Sequence, residues 1–131
     1  MIDRILETIL YCRDMDGARR FYTETLGLRQ VSDNRPRGMG FRISPNAVLL
    51  IFNPDLTPLP NPMVPSHGAI GPGHIGLGVA PNTLDEWRVR LADAGVPIEQ
   101  EASWPNGARS IYFRDQDGNS VELIEGDLWP R

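Results

Sequence analysis

Residues 71–79, GPGHIGLGV, place one of the chain's two histidines inside an apolar run. Alternation along a strand sends Ile75, Leu77 and Val79 to one face and His74, Gly76 and Gly78 to the other. The apolar residues have a core to join, while the imidazole looks over two glycines into space cleared of side chains. The stretch reads as a strand with a buried face and a working face. A helix should follow. In TLDEWRVRLADAG (83–95), Thr83 and Glu86 have capping-box spacing, Leu84, Trp87, Leu91 and Ala94 form a stripe, and Gly95 is the stop. Strands are then expected at 97–102, 108–114 and 119–125, the last two joined by the turn DQDGN.

The same order precedes it. RILETILYC (4–12) reads as a strand, and DMDGARRFYTETLG (14–27) as a helix. Its N-cap is Asp14, its stripe is Met15, Ala18, Phe21/Tyr22 and Leu26, and its stop is Gly27. Strands follow at 28–33, 37–43 and 47–53. The pattern is βαβββ twice, an α+β class, with Glu7 and His74 67 positions apart at matching places. The organisation expected is one domain of two modules, 1–53 and 72–126, joined by a proline-rich linker, 54–71. Residues 53–73 hold six of the twelve prolines, which suits a stiff linker or a lid. His67 stands in this loop, exposed on this reading, with a lid role open to it.

Composition narrows the partners. The 131 residues carry a net charge of −4, and all 13 basic residues are arginines, scattered singly apart from Arg19-Arg20. No basic block offers a footprint for nucleic acid or an anionic membrane surface. No apolar stretch nears the roughly 18 residues that span a bilayer. The first residues lack the build of a signal peptide, so the expected location is the cytoplasm. The single cysteine, Cys12, excludes an internal disulfide and reads as a small core residue. The partner expected is a small molecule, or a second copy of the chain.

Superposing the repeats sets Glu7 opposite His74. Matching NAVLLIF to NSVELIE sets Leu49 opposite Glu122. A carboxylate inside an apolar strand is costly without compensation, and both Glu7 and Glu122 have apolar neighbours. Each residue alone has an ordinary explanation: Glu7 could pair with an arginine, and His74 could be a satisfied core histidine. Together, at matching places in a repeat, they point to a cation. Nitrogen and oxygen donors in an open three-residue site suit Zn²⁺, Mn²⁺, Fe²⁺ or Ni²⁺.

The stretches LETILYCRDMDGARRFYTETLGL, GHIGLGV and IYFRDQDGNSVELIEG make the chain resemble the vicinal oxygen chelate superfamily. That family comprises glyoxalase I, bleomycin-resistance and fosfomycin-resistance proteins and extradiol dioxygenases. The resemblance implies two βαβββ modules curled as an open barrel around a shared cavity. It also implies metal ligands on the first and last strands of the modules: here Glu7, His74 and Glu122, with Leu49 unable to bind at the fourth place. Three ligands look more like the fosfomycin thiol transferases than glyoxalase I, although Glu7 stands where those enzymes usually carry histidine. The family further implies a homodimer whose partners share the cavity.

Strand parity adds the substrate-facing candidates. With Ile111 and Phe113 toward the helix layer, Ser110, Tyr112 and Arg114 face the cavity. Arg42 in GMGFRI would point inward to hold an anionic oxygen, or outward as a surface residue. Trp104 in SWPNG is a wall of the pocket or local packing. The function expected is a metal-dependent enzyme acting on a small oxygenated molecule: glyoxalase-type lyase, dioxygenase or thiol transferase. Glu122 is the candidate base and Tyr112 the donor to a developing oxyanion. The alternative is a metal-free, bleomycin-resistance-like binding protein. An aromatic content of only 8% argues against its stacking cleft.

Overall fold

The first repeat folds because three of its four strands bury apolar side chains on one face and its helix has one apolar stripe. The computed structural model describes all residues 1–131. It divides into two compact units, Met1–Gly73 and His74–Arg131, so the proline-rich segment belongs with the first. In the first unit, β1 (Glu7–Tyr11) leads to α1 (Met15–Arg20), then β2 (Arg29–Asn34), β3 (Gly38–Ser44) and β4 (Ala47–Phe52). The sheet order is β1-β4-β3-β2, with β1 parallel to β4 and the other pairs antiparallel. Asp14 caps α1 by accepting from the Gly17 N–H at 2.9 Å. The helix continues as a π-helical turn, Phe21–Thr25, before Gly27 ends it at φ 75°. Leu10, Met39, Phe41, Leu49 and Ile51 bury one sheet face together with Met15, Ala18, Phe21, Tyr22 and Leu26. Cys12 is buried too.

The second unit repeats the plan. β5 (His74–Val79) leads to α2 (Leu84–Asp93), then β6 (Gln100–Ser103), β7 (Arg109–Arg114) and β8 (Ser120–Glu125), in the sheet order β5-β8-β7-β6. Ile75, Ile111, Phe113, Val121 and Leu123 are buried, as are Leu84 and Leu91 of α2. In the DQDGN turn, Oδ1 of Asp115 accepts from the N–H groups of Asp117 and Asn119, and Gly118 takes φ 86°. That turn fixes the β7–β8 register, and so the face on which Glu122 emerges.

Three expectations need correction. The capping box is absent: the Thr83 hydroxyl donates to the Ala80 carbonyl at 2.6 Å. Oε1 of Glu125 accepts from the Thr83 N–H instead, at 2.9 Å. The equivalent of Glu122 is Leu50, not Leu49. Glu7 pairs with Val48 and Ile9 with Leu50, as His74 pairs with Ser120 and Gly76 with Glu122. Leu49 lies on the other face, paired with Thr8 and fully buried. The fourth place is still a leucine, so the chemical consequence is unchanged. Third, His67 is half-buried rather than exposed. Its Nδ1 lies 2.6 Å from the Tyr11 hydroxyl, and its ring packs on Phe52.

Candidate functional site

The face of the second sheet opposite its core carries His74, Gly76 and Gly78 from β5, Ser120 and Glu122 from β8, and Ser110, Tyr112 and Arg114 from β7. Their partners in register place Gly76, Glu122 and Tyr112 in one row across the sheet. Nothing lies within 4 Å of where a Gly78 side chain would begin, so this glycine keeps the face open.

Glu122 is the centre of the arrangement. It is 5% exposed, and no arginine pairs with it. Its Oε2 accepts from the Ser110 hydroxyl at 2.8 Å, and Ser110 in turn accepts from Nε1–H of Trp104 at 2.8 Å. Its Oε1 lies 3.4 Å from Nε2 of His74. On the other side of that ring, Nδ1 is 3.1 Å from the Ser120 hydroxyl. The Tyr112 ring stacks near His74, with centroids 6.3 Å apart. Burial, then the hydrogen bonding and charge of Glu122, raise the phenol's pKa above its usual value. Tyr112 therefore stays protonated and can donate.

Two donors of this set fit a divalent ion. Nitrogen and oxygen ligands about 2.0–2.2 Å from one ion stand about 3 to 3.5 Å apart at octahedral or tetrahedral angles, the spacing of His74 and Glu122. With its Nδ1 proton given to Ser120, His74 would turn the Nε2 lone pair toward that position, as ligating histidines commonly do. No group of three or more His, Cys, Asp or Glu side chains stands close enough within the chain to hold a metal. Glu7 lies in the first unit, exposed and without an ion-pair partner. Arg42 shares the Glu7 face of the first sheet through Val48, is half-buried, and also lacks an ionic partner.

Beside Glu122 opens a cavity of about 630 Å³, lined by Trp104, Pro105, Asn106, Tyr112, Leu128, Trp129 and Pro130 as well. The side-chain amide of Asn106 donates to the carbonyls of Asp127 and Leu128, which holds the segment after β8 against this opening. Trp104 and Tyr112 were legible as candidates from sequence; Asn106, Leu128 and Trp129 were not. One signal was available. The dipeptide Trp-Pro occurs at 104–105 and again at 129–130, and both copies line the cavity. Two of the three tryptophans thus meet one of the three tyrosines here, and the low aromatic content is no argument against a stacking cleft.

Comparison with known proteins gives the family. The Glyoxalase/Bleomycin resistance protein/Dioxygenase superfamily model matches residues 2–123. The chain belongs to this superfamily. It is similar to the crystal structure of a lactoylglutathione lyase from Agrobacterium tumefaciens, at 37% identity and TM-score 0.91, with 99% of this chain and 98% of that chain covered. A superfamily member from Sphaerobacter thermophilus shares 24% identity at TM-score 0.75, over 95% and 98% of the two chains. The oxidase ChaP-H2 shares 22% at TM-score 0.68, over 97% and 96%. These last two show the common fold alone. No curated protein sequence matches the chain. No helix is long and apolar enough to cross a membrane.

Proposed function

We propose that this superfamily member is a metal-dependent enzyme acting on a small oxygenated molecule, with Glu7, His74 and Glu122 as the ligands of a divalent ion. The observation that carries the proposal is the buried Glu122 carboxylate, facing the His74 imidazole at 3.4 Å with no arginine to neutralise it. A carboxylate so placed favours a cation beside it. When bound, such an ion supplies Lewis-acid polarisation of the substrate's oxygens. The residues of the chain do the rest. Ser110 is fully engaged within the protein, so its role on this reading is to hold Glu122 in position. Glu122 takes a proton from the substrate, and Tyr112, kept protonated, donates to the oxygen on which negative charge develops. Arg42 binds an oxygen that carries or gains charge. Trp104 walls the site. A homodimer whose partners share the cavity is the assembly proposed, as the family resemblance implies.

The similar lactoylglutathione lyase supports lyase chemistry, while the leucine at the fourth place argues against a four-ligand site. Elemental analysis of protein purified without a tag tests the reading: about one divalent metal per chain is expected. His74→Ala should remove it and leave the fold intact, since His74 is exposed. A metal-free wild type that stays metal-free after incubation with Zn²⁺, Mn²⁺, Fe²⁺ and Ni²⁺ would refute it. A second reading, metal-free sequestration of a small molecule, is favoured by the aromatic lining of the cavity.

A further inference from the structure

We infer that Arg29 and Arg42, side by side on the open face of the first sheet, form a site for a dianionic phosphoryl group. The inference rests on the proposed function where that makes Arg42 a contact for the ligand's charge, and it does not rest on the metal. Comparison of the two modules carries it. Val48 joins Glu7 and Arg42 in one row across the first sheet, as Ser120 joins His74 and Arg114 across the second. Arg42 and Arg114 therefore hold the same place in the repeat.

Their neighbours differ. Arg114 is neutralised by Glu99, just before β6, with Nε 2.8 Å from Oε2, and it also donates to the Gly118 carbonyl. In the first module the residue beside Arg42 on the outer strand is Arg29, its direct partner in the β2–β3 register. Like charges directly opposite on paired strands repel, and no ion pair relieves either guanidinium. Asp3, Asp55, Asp16 and Asp33 are held by Arg4, Arg13 and Arg35. Glu7 shares the row, but two strand spacings, about 10 Å, separate its backbone from that of Arg42. Charge then selects the ligand. A single guanidinium satisfies a carboxylate through a bidentate pair of N–H donors. Two of them match the double charge and three free oxygens of a phosphate monoester. Arg42 is half-buried and Arg29 exposed, so such a group can enter from solvent. Free phosphate and the phosphate of a substrate present the same chemistry here.

Calorimetric titration of the full chain in chelator should compare phenyl phosphate, inorganic phosphate and benzoate at about pH 8, where the phosphates are dianions. Phenyl phosphate is expected to bind at least about tenfold tighter than benzoate. That advantage should shrink below about pH 6, where the monoester takes up a proton. Arg29→Glu copies the pairing of the second module at an exposed position. It should raise the thermal midpoint by about 1–3 °C and weaken phenyl phosphate at least about tenfold. A preference for the monoester over inorganic phosphate assigns the site to a substrate's phosphate, and equal affinity assigns it to free phosphate. Benzoate binding as tightly as phenyl phosphate, or an unchanged phosphate affinity in Arg29→Glu, overturns the inference. Protein that takes up no metal but binds phenyl phosphate through Arg29 defeats the metal proposal and leaves this one standing.

Discussion

Nε2 of His74 lies 3.4 Å from Oε1 of Glu122, and each group is steadied from behind by a serine, Ser120 and Ser110 respectively. Two strands joined in parallel register bring these side chains together. The serines matter because no arginine stands by to orient either group.

Ser110→Ala should therefore be felt at two levels. It removes the donor to a buried carboxylate oxygen and the acceptor of the Trp104 indole, a cost of about 1–3 kcal/mol for unsatisfied buried groups. Urea unfolding should show that loss. On the proposed function, metal affinity should fall about 10- to 100-fold, as expected when an outer partner of a ligand is deleted. Unchanged metal affinity in a destabilised variant would confine Ser110 to packing.

Tyr112 should titrate above the ordinary tyrosine value, because burial and then Glu122 hold its proton. Glu122→Gln removes the charge but not the burial. The tyrosinate absorbance of Tyr112, assigned by difference against Tyr112→Phe, should move down in pH in this variant without reaching an exposed tyrosine's midpoint. A midpoint unaffected by Glu122→Gln would show that the two groups are not coupled.

Glu125 should set part of the acid limit of stability. Its hydrogen bond from Arg109, then that from the Thr83 N–H, hold its carboxyl below the ordinary value of 4.5. A folded-state pKa lowered in this way gives stability that is full above the unfolded value and is lost as pH falls through the folded one. Thermal midpoints of the wild type should thus drop between those two pH values, and those of Glu125→Gln should drop less. Parallel curves for the two proteins would remove Glu125 from the account.

A homodimer is expected by sedimentation at micromolar concentration. β1 pairs on one side only, with β4, and the residues leading into it, Ile2, Ile5 and Leu6, expose their side chains. Apolar side chains beside an open edge favour a partner. Leu6→Lys should shift the protein toward monomer and, on the proposed function, lower metal content by displacing Glu7. A wild type that sediments as a monomer would withdraw the shared-site assembly.

Arg42→Ala should leave thermal stability nearly unchanged, since the guanidinium has no ionic partner to lose. If Arg42 binds a substrate oxyanion, the variant should weaken an anionic ligand by about 10- to 100-fold, in line with a charged hydrogen bond of roughly 1.5–3 kcal/mol. Equal affinity in both proteins would leave Arg42 as a surface residue.

The sequence by itself determined the doubled βαβββ plan and the faces of β5 and β7. In both strands apolar residues alternate with small or polar ones, so parity is written in the side chains. Ile75 and Phe113 point to a core, and His74 and Tyr112 must then point away from it. The tertiary structure alone decided the register of β4. Every residue from Ala47 to Phe52 is apolar, so alternation carries no signal there, and the shared asparagines of NAVLLIF and NSVELIE suggest an alignment one residue out. Backbone pairing with β1 settles it and turns Leu50, not Leu49, to the Glu7 face. The cavity wall was illegible for a related reason. Trp129 reaches the neighbourhood of Glu122 because Asn106 holds the backbone at 127 and 128, a bond between residues 21 positions apart that no local periodicity encodes.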